Sequence, residues 1–220
     1  MQEVAHTALA PPVAVSCWLI GRESAMHIST AERKEAIVAA LEQELEALEA
    51  RGVRMAGNAL SPVVLVKGDL NGDELAGGEL LFGADGRALR SALTAIGYAP
   101  EDFCALASVA GAARSESDAV AAPGDALPTA VFREALEALD PEAVVLLDDA
   151  AADIMRETYA DALVVIEDFN TAMLAPGLVA HVLGRRVLAL DGFEQALSDP
   201  REKQRMWAYL KQLPPAGAPY

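Results

Sequence analysis

At 220 residues and 53% hydrophobic content, the chain is long and apolar enough for one α/β domain and falls outside disordered compositions. Its 33 acidic residues outnumber 17 basic ones, for a net charge of −16. That balance argues against nonspecific nucleic-acid binding, which needs clustered Lys and Arg, although a local basic groove is compatible with the total.

Residues 1–28 lack a clear period and read as an N-terminal arm, with Trp18, Leu19 and Ile20 anchoring it to a core. Ser29 or Thr30 then caps a helix whose apolar stripe is Ile37, Leu41, Leu45 and Leu48, closed by Arg51-Gly52. Pro62–Lys67 (PVVLVK) is a β-branched run expected to be a buried parallel strand. A glycine-rich loop, 68–83, follows it. Arg87–Ile96 is helical, with Gly97 as its C-terminal stop, and Asp102–Val109 reads as a second strand. Residues 111–126 are small and polar and form a loop. Thr129–Leu139 is a helix ended by Pro141, Val144–Leu147 a third strand, and Ala150–Glu157 another helix. Ala162–Ile166 and Arg186–Leu190 are further candidate strands. In the closing helix, Asp199 is the cap, Pro200 the first residue and Glu202 the partner in a capping box, with Met206, Trp207 and Leu210 turned inward. The tail 214–220 forms no element.

Strands alternating with helices imply a three-layer α/β/α sandwich around a central, mainly parallel four-stranded sheet. The expected organisation is an arm over 1–28, one domain over 29–213 and a tail over 214–220. In such sheets ligands sit at the carboxyl ends of the strands, which directs attention to the loop after Lys67. Cys17 and Cys104 cannot frame a disulfide scaffold or a four-thiolate cluster, and read as small hydrophobes in a reducing compartment. The opening Met-Gln-Glu lacks a basic leader region, and runs such as Pro11–Ile20 are too short to cross a bilayer. The expectation is a cytoplasmic protein without a membrane partner.

Four segments in series resemble the uracil-DNA glycosylase superfamily, in particular its iron–sulfur-type enzymes. Gly68-Asp69-Leu70-Asn71-Gly72 resembles GEAPG, with a spacer one residue shorter. Gly78-Glu79-Leu80-Leu81-Phe82-Gly83, with Gly86 trailing, resembles GxPFxGxxG. PEAVVLLDDAAADIM, from Pro141, is similar to PxVIVALGxxAxxxL, and ALSDPREKQRMWAYLKQL to LLRDPxxKRxxWxDLKxV. The order and spacing hold across residues 61–213. The resemblance implies the family's fold and a base pocket at Gly68, Leu70, Asn71, Leu81, Phe82, Ser108 and Gly192.

It also exposes losses. The ring-stacking Phe position is Leu81, with Phe82 one place along, and the base-reading Asn position is Ala107 or Ser108. A flipped base needs a π-face and a polar edge partner, which Leu and Ala do not supply. The histidine of the HPS motif, which stabilises charge on the departing base, falls at Gly192. The cluster cysteine position is Ala110 or Gly111, so no iron–sulfur cofactor and no metal are expected. Asp69 is the one surviving catalytic-type residue, as a positioner of water; its alternative use is to stabilise a turn. Asp69, Asn71 and Asp73 alternate as in a calcium loop, but the twelfth position is Leu80. Asp148-Asp149 and Glu167-Asp168 could hold Mg²⁺ or cap helices, and capping is the commoner use.

Two readings follow. One is a catalytically degenerate, glycosylase-like protein reused to bind a protein or small-molecule partner, with DNA disfavoured by charge. The other is a divergent DNA glycosylase, hydrolysing an N-glycosidic bond with Asp69 positioning water.

Overall fold

A computed structural model describes residues 29–99 and 103–217. The chain divides into two compact units, Met1–Ala39 and Ala40–Tyr220. In the first unit the described residues are 29–39, the opening of helix α1 (Thr30–Ala50). Ser29 caps it: Glu32 N donates to Ser29 Oγ, and Ser29 N donates back to the Glu32 carboxylate. Ile37, assigned to the apolar stripe, is 62% exposed. The arm 1–28, with its expected anchors Trp18, Leu19 and Ile20, lies outside the described residues.

After α1 the second unit contains β1 (Met55–Gly57), β2 (Val63–Lys67), the one-turn α2 (Gly72–Leu75), α3 (Ala84–Ala95), β3 (Cys104–Ala107), α4 (Thr129–Leu139), β4 (Ala143–Leu146) and α5 (Asp149–Thr158). Two more one-turn helices, α6 (Ala160–Leu163) and α7 (Phe169–Ala172), lead to β5 (Val179–Val182) and β6 (Arg185–Ala189). The chain closes with α8 (Phe193–Ala196) and α9 (Pro200–Leu210).

The architecture is mixed α/β. Its sheet has six strands in the order β1-β3-β2-β4-β6-β5, not four. The middle four, β3-β2-β4-β6, pair in parallel; β1 and β5 close the two edges in antiparallel sense. Both edge strands escape a pattern reading for physical reasons. β1 has three residues and ends on Gly57, at φ +91. β5 reads VAHV, with His181 exposed, and turns into β6 through Leu183-Gly184, both at positive φ.

Ala162–Ile166 is not a strand. The position beside β4 is taken by β6. Leu163 ends α6, while Val164 and Val165 are exposed. The capping box expected at Glu202 is also absent. Asp199 accepts from Arg201 N at 2.7 Å, and Glu202 pairs instead with Arg205, one turn along.

Alternation along each strand builds two cores. Val64, Val66, Leu106, Val144, Leu146 and Val187 face one side, beneath Phe132 and Leu136 of α4 and Met155 of α5. Val63, Leu65, Ala105, Val145 and Leu188 face the other, beneath Leu89 and Leu93 of α3, Phe193 of α8 and Met206 of α9. Central strands buried on both faces are what parallel pairing requires.

Candidate functional site

Lys67 is the last residue of β2 and shares the parity of Val63 and Leu65. Its side chain therefore enters the core under α3 and α8, where it is only 3% exposed. A buried ammonium needs partners, and three carboxylates meet it. Asp85, in the first turn of α3, accepts from Nζ at 2.6 Å, and Glu194 of α8 at 2.8 Å. Glu74 of α2 completes an ion pair at 2.8 Å. Burial opposes the Lys67 charge, but the bonds to Asp85, Glu194 and Glu74 outweigh it, and the ammonium is held above the ordinary lysine value.

The partners are fixed by the backbone around them. Glu74 Oε1 accepts from Leu81 N and Oε2 from Asn71 N, each at 2.9 Å. Asn71 Oδ1 accepts from Glu74 N, completing a capping box on α2. Leu81 sits at φ +55, and its carbonyl accepts from Arg90 at 3.1 Å. Gly86 passes so close that an added Cβ would lie 1.6 Å from Leu81 O. The glycine-rich segment is thus wound around Glu74 and Lys67.

Asp148 forms the adjacent wall at the end of β4. Its Oδ1 caps α5 through Ala151 N at 2.8 Å, and its Oδ2 accepts from Gly68 N and Asp69 N at 2.8 and 3.0 Å. Gly68 is obligatory there: a Cβ would meet Ala150 Cβ at 2.5 Å and Ser108 Oγ at 2.6 Å. Asp69 is exposed, and its carboxylate makes no hydrogen bond among the described residues. Partial burial raises its pKa, and Asp148 and Asp149 push it the same way. Lys67, Asp69, Asp85, Asp148, Phe193 and Glu194 line a cleft of about 10 Å³, room for one water.

The residues expected to form a base pocket are not all brought together. Asp69 lines the cleft, Gly68 and Ser108 pack against each other outside its lining, and Gly192, at φ +66, leads into α8. Leu81 is buried in the core, and Phe82 is 71% exposed. Leu70 lines a separate groove with Arg54, Leu75 and Gly111. Asn71, not Asp69, performs the turn-stabilising work. Asp148 and Asp168 are helix caps.

Lys67, Glu74 and Asp85 are the functional-grade groups that pattern reading passes over. The available signal is a lysine in phase with the inward residues of an otherwise apolar strand. Among the described residues Lys67 is the one cation lining the cleft, against Asp69, Asp85, Asp148 and Glu194, so the mouth is negative. A protonated Lys67 is neither a nucleophile nor a general base at neutral pH. Among the described residues no histidine lines the cleft. Among the described residues no group of His, Cys, Asp and Glu is arranged to hold a metal ion.

Arginines of β6 and α9 are engaged away from the cleft. Arg185 pairs with Asp140, Arg186 donates to Pro214 O, and Arg205 pairs with Asp191 and Glu202. No helix among the described residues is long and apolar enough to cross a membrane. No protein-family model matches the sequence, and no curated protein matches it.

Proposed function

We propose that this chain is a uracil-DNA-glycosylase-like protein that has lost catalysis and serves as a binding or interaction protein. The observation that carries this reading is the Lys67 cluster. It fills the space at the strand ends with one cation and three carboxylates, leaving about 10 Å³ where an extruded base would have to enter. The resemblance across residues 61–213 supports the ancestry, as do the parallel pairings of β2 with β3 and β4. The loss of chemistry is supported by Gly192 in place of an imidazole, by the outward Phe82, and by a negative mouth that repels phosphate.

The test is base release from uracil-containing single- and double-stranded DNA, with binding measured at low salt. No release and no binding are expected. Release that disappears in Asp69→Ala would overturn the proposal in favour of a divergent glycosylase. Binding without release would remove only the argument from charge.

A further inference from the structure

Asn71-Gly72 is the one asparagine–glycine pair in the chain; Asn58 and Asn170 precede Ala59 and Thr171. Glycine has no Cβ to shield its own nitrogen from the asparagine side chain before it. Gly72 is exposed, and a Cβ built on it would meet nothing within 4 Å. It opens α2, so its N–H has no partner inside the helix. That nitrogen is placed to convert the neighbouring amide to an acid. Gly72 N attacks Asn71 Cγ, the N–Cγ bond forms, the Cγ–Nδ2 bond breaks, and ammonia leaves with the Gly72 N–H proton. Water then opens the succinimide at either carbonyl, giving aspartate or isoaspartate.

The fold opposes that ring. Closing it requires Asn71 ψ to turn out of the extended value of 174 that it holds. The ψ bond separates the Asn71 N–H and side chain from all of α2, and the capping box spans it twice. Asn71 N donates to Glu74 Oε2 at 2.9 Å, and Glu74 N to Asn71 Oδ1 at 3.0 Å. Rotation breaks both bonds unless Glu74 moves as well. Glu74 is held in place, because Oε1 accepts from Leu81 N at 2.9 Å and Oε2 pairs with Lys67 at 2.8 Å. We infer that Asn71 is a deamidation site gated by the Lys67 cluster, reacting in the molecules whose Glu74 has left Lys67. Its rate then follows the population of that local opening. The change is one-way: isoaspartate routes the main chain through the side-chain methylene, so the capping box loses its spacing. The inference rests on the cluster's geometry and stands whether or not the functional reading above does.

Peptide mapping of the full chain held at neutral pH tests it, reading the amide-to-acid mass change at Asn71. Asn58 and Asn170, both exposed, are internal references. Conversion in the folded wild type should be at least about tenfold slower than in the same chain unfolded in urea. Lys67→Met removes the lock and should speed conversion of the folded chain at least about tenfold. Glu74→Gln keeps Lys67 but breaks their ion pair, and should act in the same direction; it serves where Lys67→Met fails to fold. Leu136→Ala lowers global stability from the core on the other side of the sheet, and should leave the rate near that of the wild type. Gly72→Ala added to Lys67→Met should slow conversion again, because a Cβ shields the nitrogen. A wild type that reacts as fast folded as unfolded overturns the inference. So does a rate unmoved by both Lys67→Met and Glu74→Gln, or one raised as much by Leu136→Ala, which would assign the reaction to global unfolding.

Discussion

Replacing Lys67 by methionine keeps the length and most of the volume of the side chain and removes only its charge. The cavity contribution is therefore small, and electrostatics dominate the result. Asp85 and Glu74 are left 3% and 2% exposed without their common cation. Breaking a buried ion pair from one side costs about 3–5 kcal/mol, because the remaining charge keeps its desolvation penalty and loses its partner. A domain of this size is stable by about 5–15 kcal/mol, so the variant should fold but unfold at much lower urea. The pH dependence is diagnostic. Lys67 is raised in the fold, so its contribution is complete below the unfolded lysine value of about 10.4 and is lost only as pH rises through the folded value. The wild-type contribution is thus flat from about pH 5 to pH 8. The deficit of Lys67→Met should therefore be present at both ends of that range, where urea unfolding measures it. A loss under about 1 kcal/mol would refute the view that the cluster is held together by charge.

Gly86→Ala places a methyl on the Leu81 carbonyl and should cost about 3 kcal/mol or more by denaturant midpoint, whereas Gly72→Ala, with nothing within 4 Å, should be near neutral. Asp69→Asn should stabilise. Its pKa is raised by burial and then by Asp148 and Asp149, so the folded state favours the protonated acid and loses stability as pH rises through the raised value. Exposure limits the gain to about 0.5 kcal/mol at neutral pH, and it should vanish below about pH 3 in thermal melts. Burial pushes the Cys104 thiol up to about 11, so in a Cys17→Ser background it should resist thiol reagents until the chain is denatured. Because the unfolded thiol ionises first, that background should lose stability as pH climbs from about 8.5 towards about 11.

The sequence makes the parallel core legible because its signals are local. Val63–Val66 and Ala143–Leu146 are continuous apolar runs, and Pro141 and Gly97 stop helices where their backbones require it. The edge strands are short, half-exposed and defined only by pairing with β3 and β6, so no local pattern encodes them. Val164-Val165 misleads for a different reason. Its composition demands burial that the fold does not supply. In the site, Asp148 was readable as a cap, because capping acts over three residues. The cluster was not, because Lys67, Glu74, Asp85 and Glu194 meet only after β2, α2, α3 and α8 have packed. Glycines 68 and 86 were readable as special positions, but what makes them so is contact with Ser108, Ala150 and Leu81, visible only in three dimensions.

The cluster's three carboxylates are not equivalent, and a second set of substitutions separates them. Asp85 uses Oδ1 for Gly86 N and Oδ2 for Lys67, so asparagine can keep the first bond while dropping the charge. Glu74 uses both oxygens to accept from backbone N–H groups, so glutamine must turn its amide donor against one of them. Asp85→Asn alone should cost about 1.5–3 kcal/mol, the worth of a charged hydrogen bond. Added to Lys67→Met, it should recover stability, with a coupling of about 1–3 kcal/mol. Glu74→Gln added to Lys67→Met should recover none. If it rescued as well as Asp85→Asn, relief of charge would be all that mattered, and the backbone hydrogen bonds to Glu74 would contribute nothing to winding the glycine-rich segment. If neither rescued, the cost of Lys67→Met would have to come from packing beneath α3 and α8.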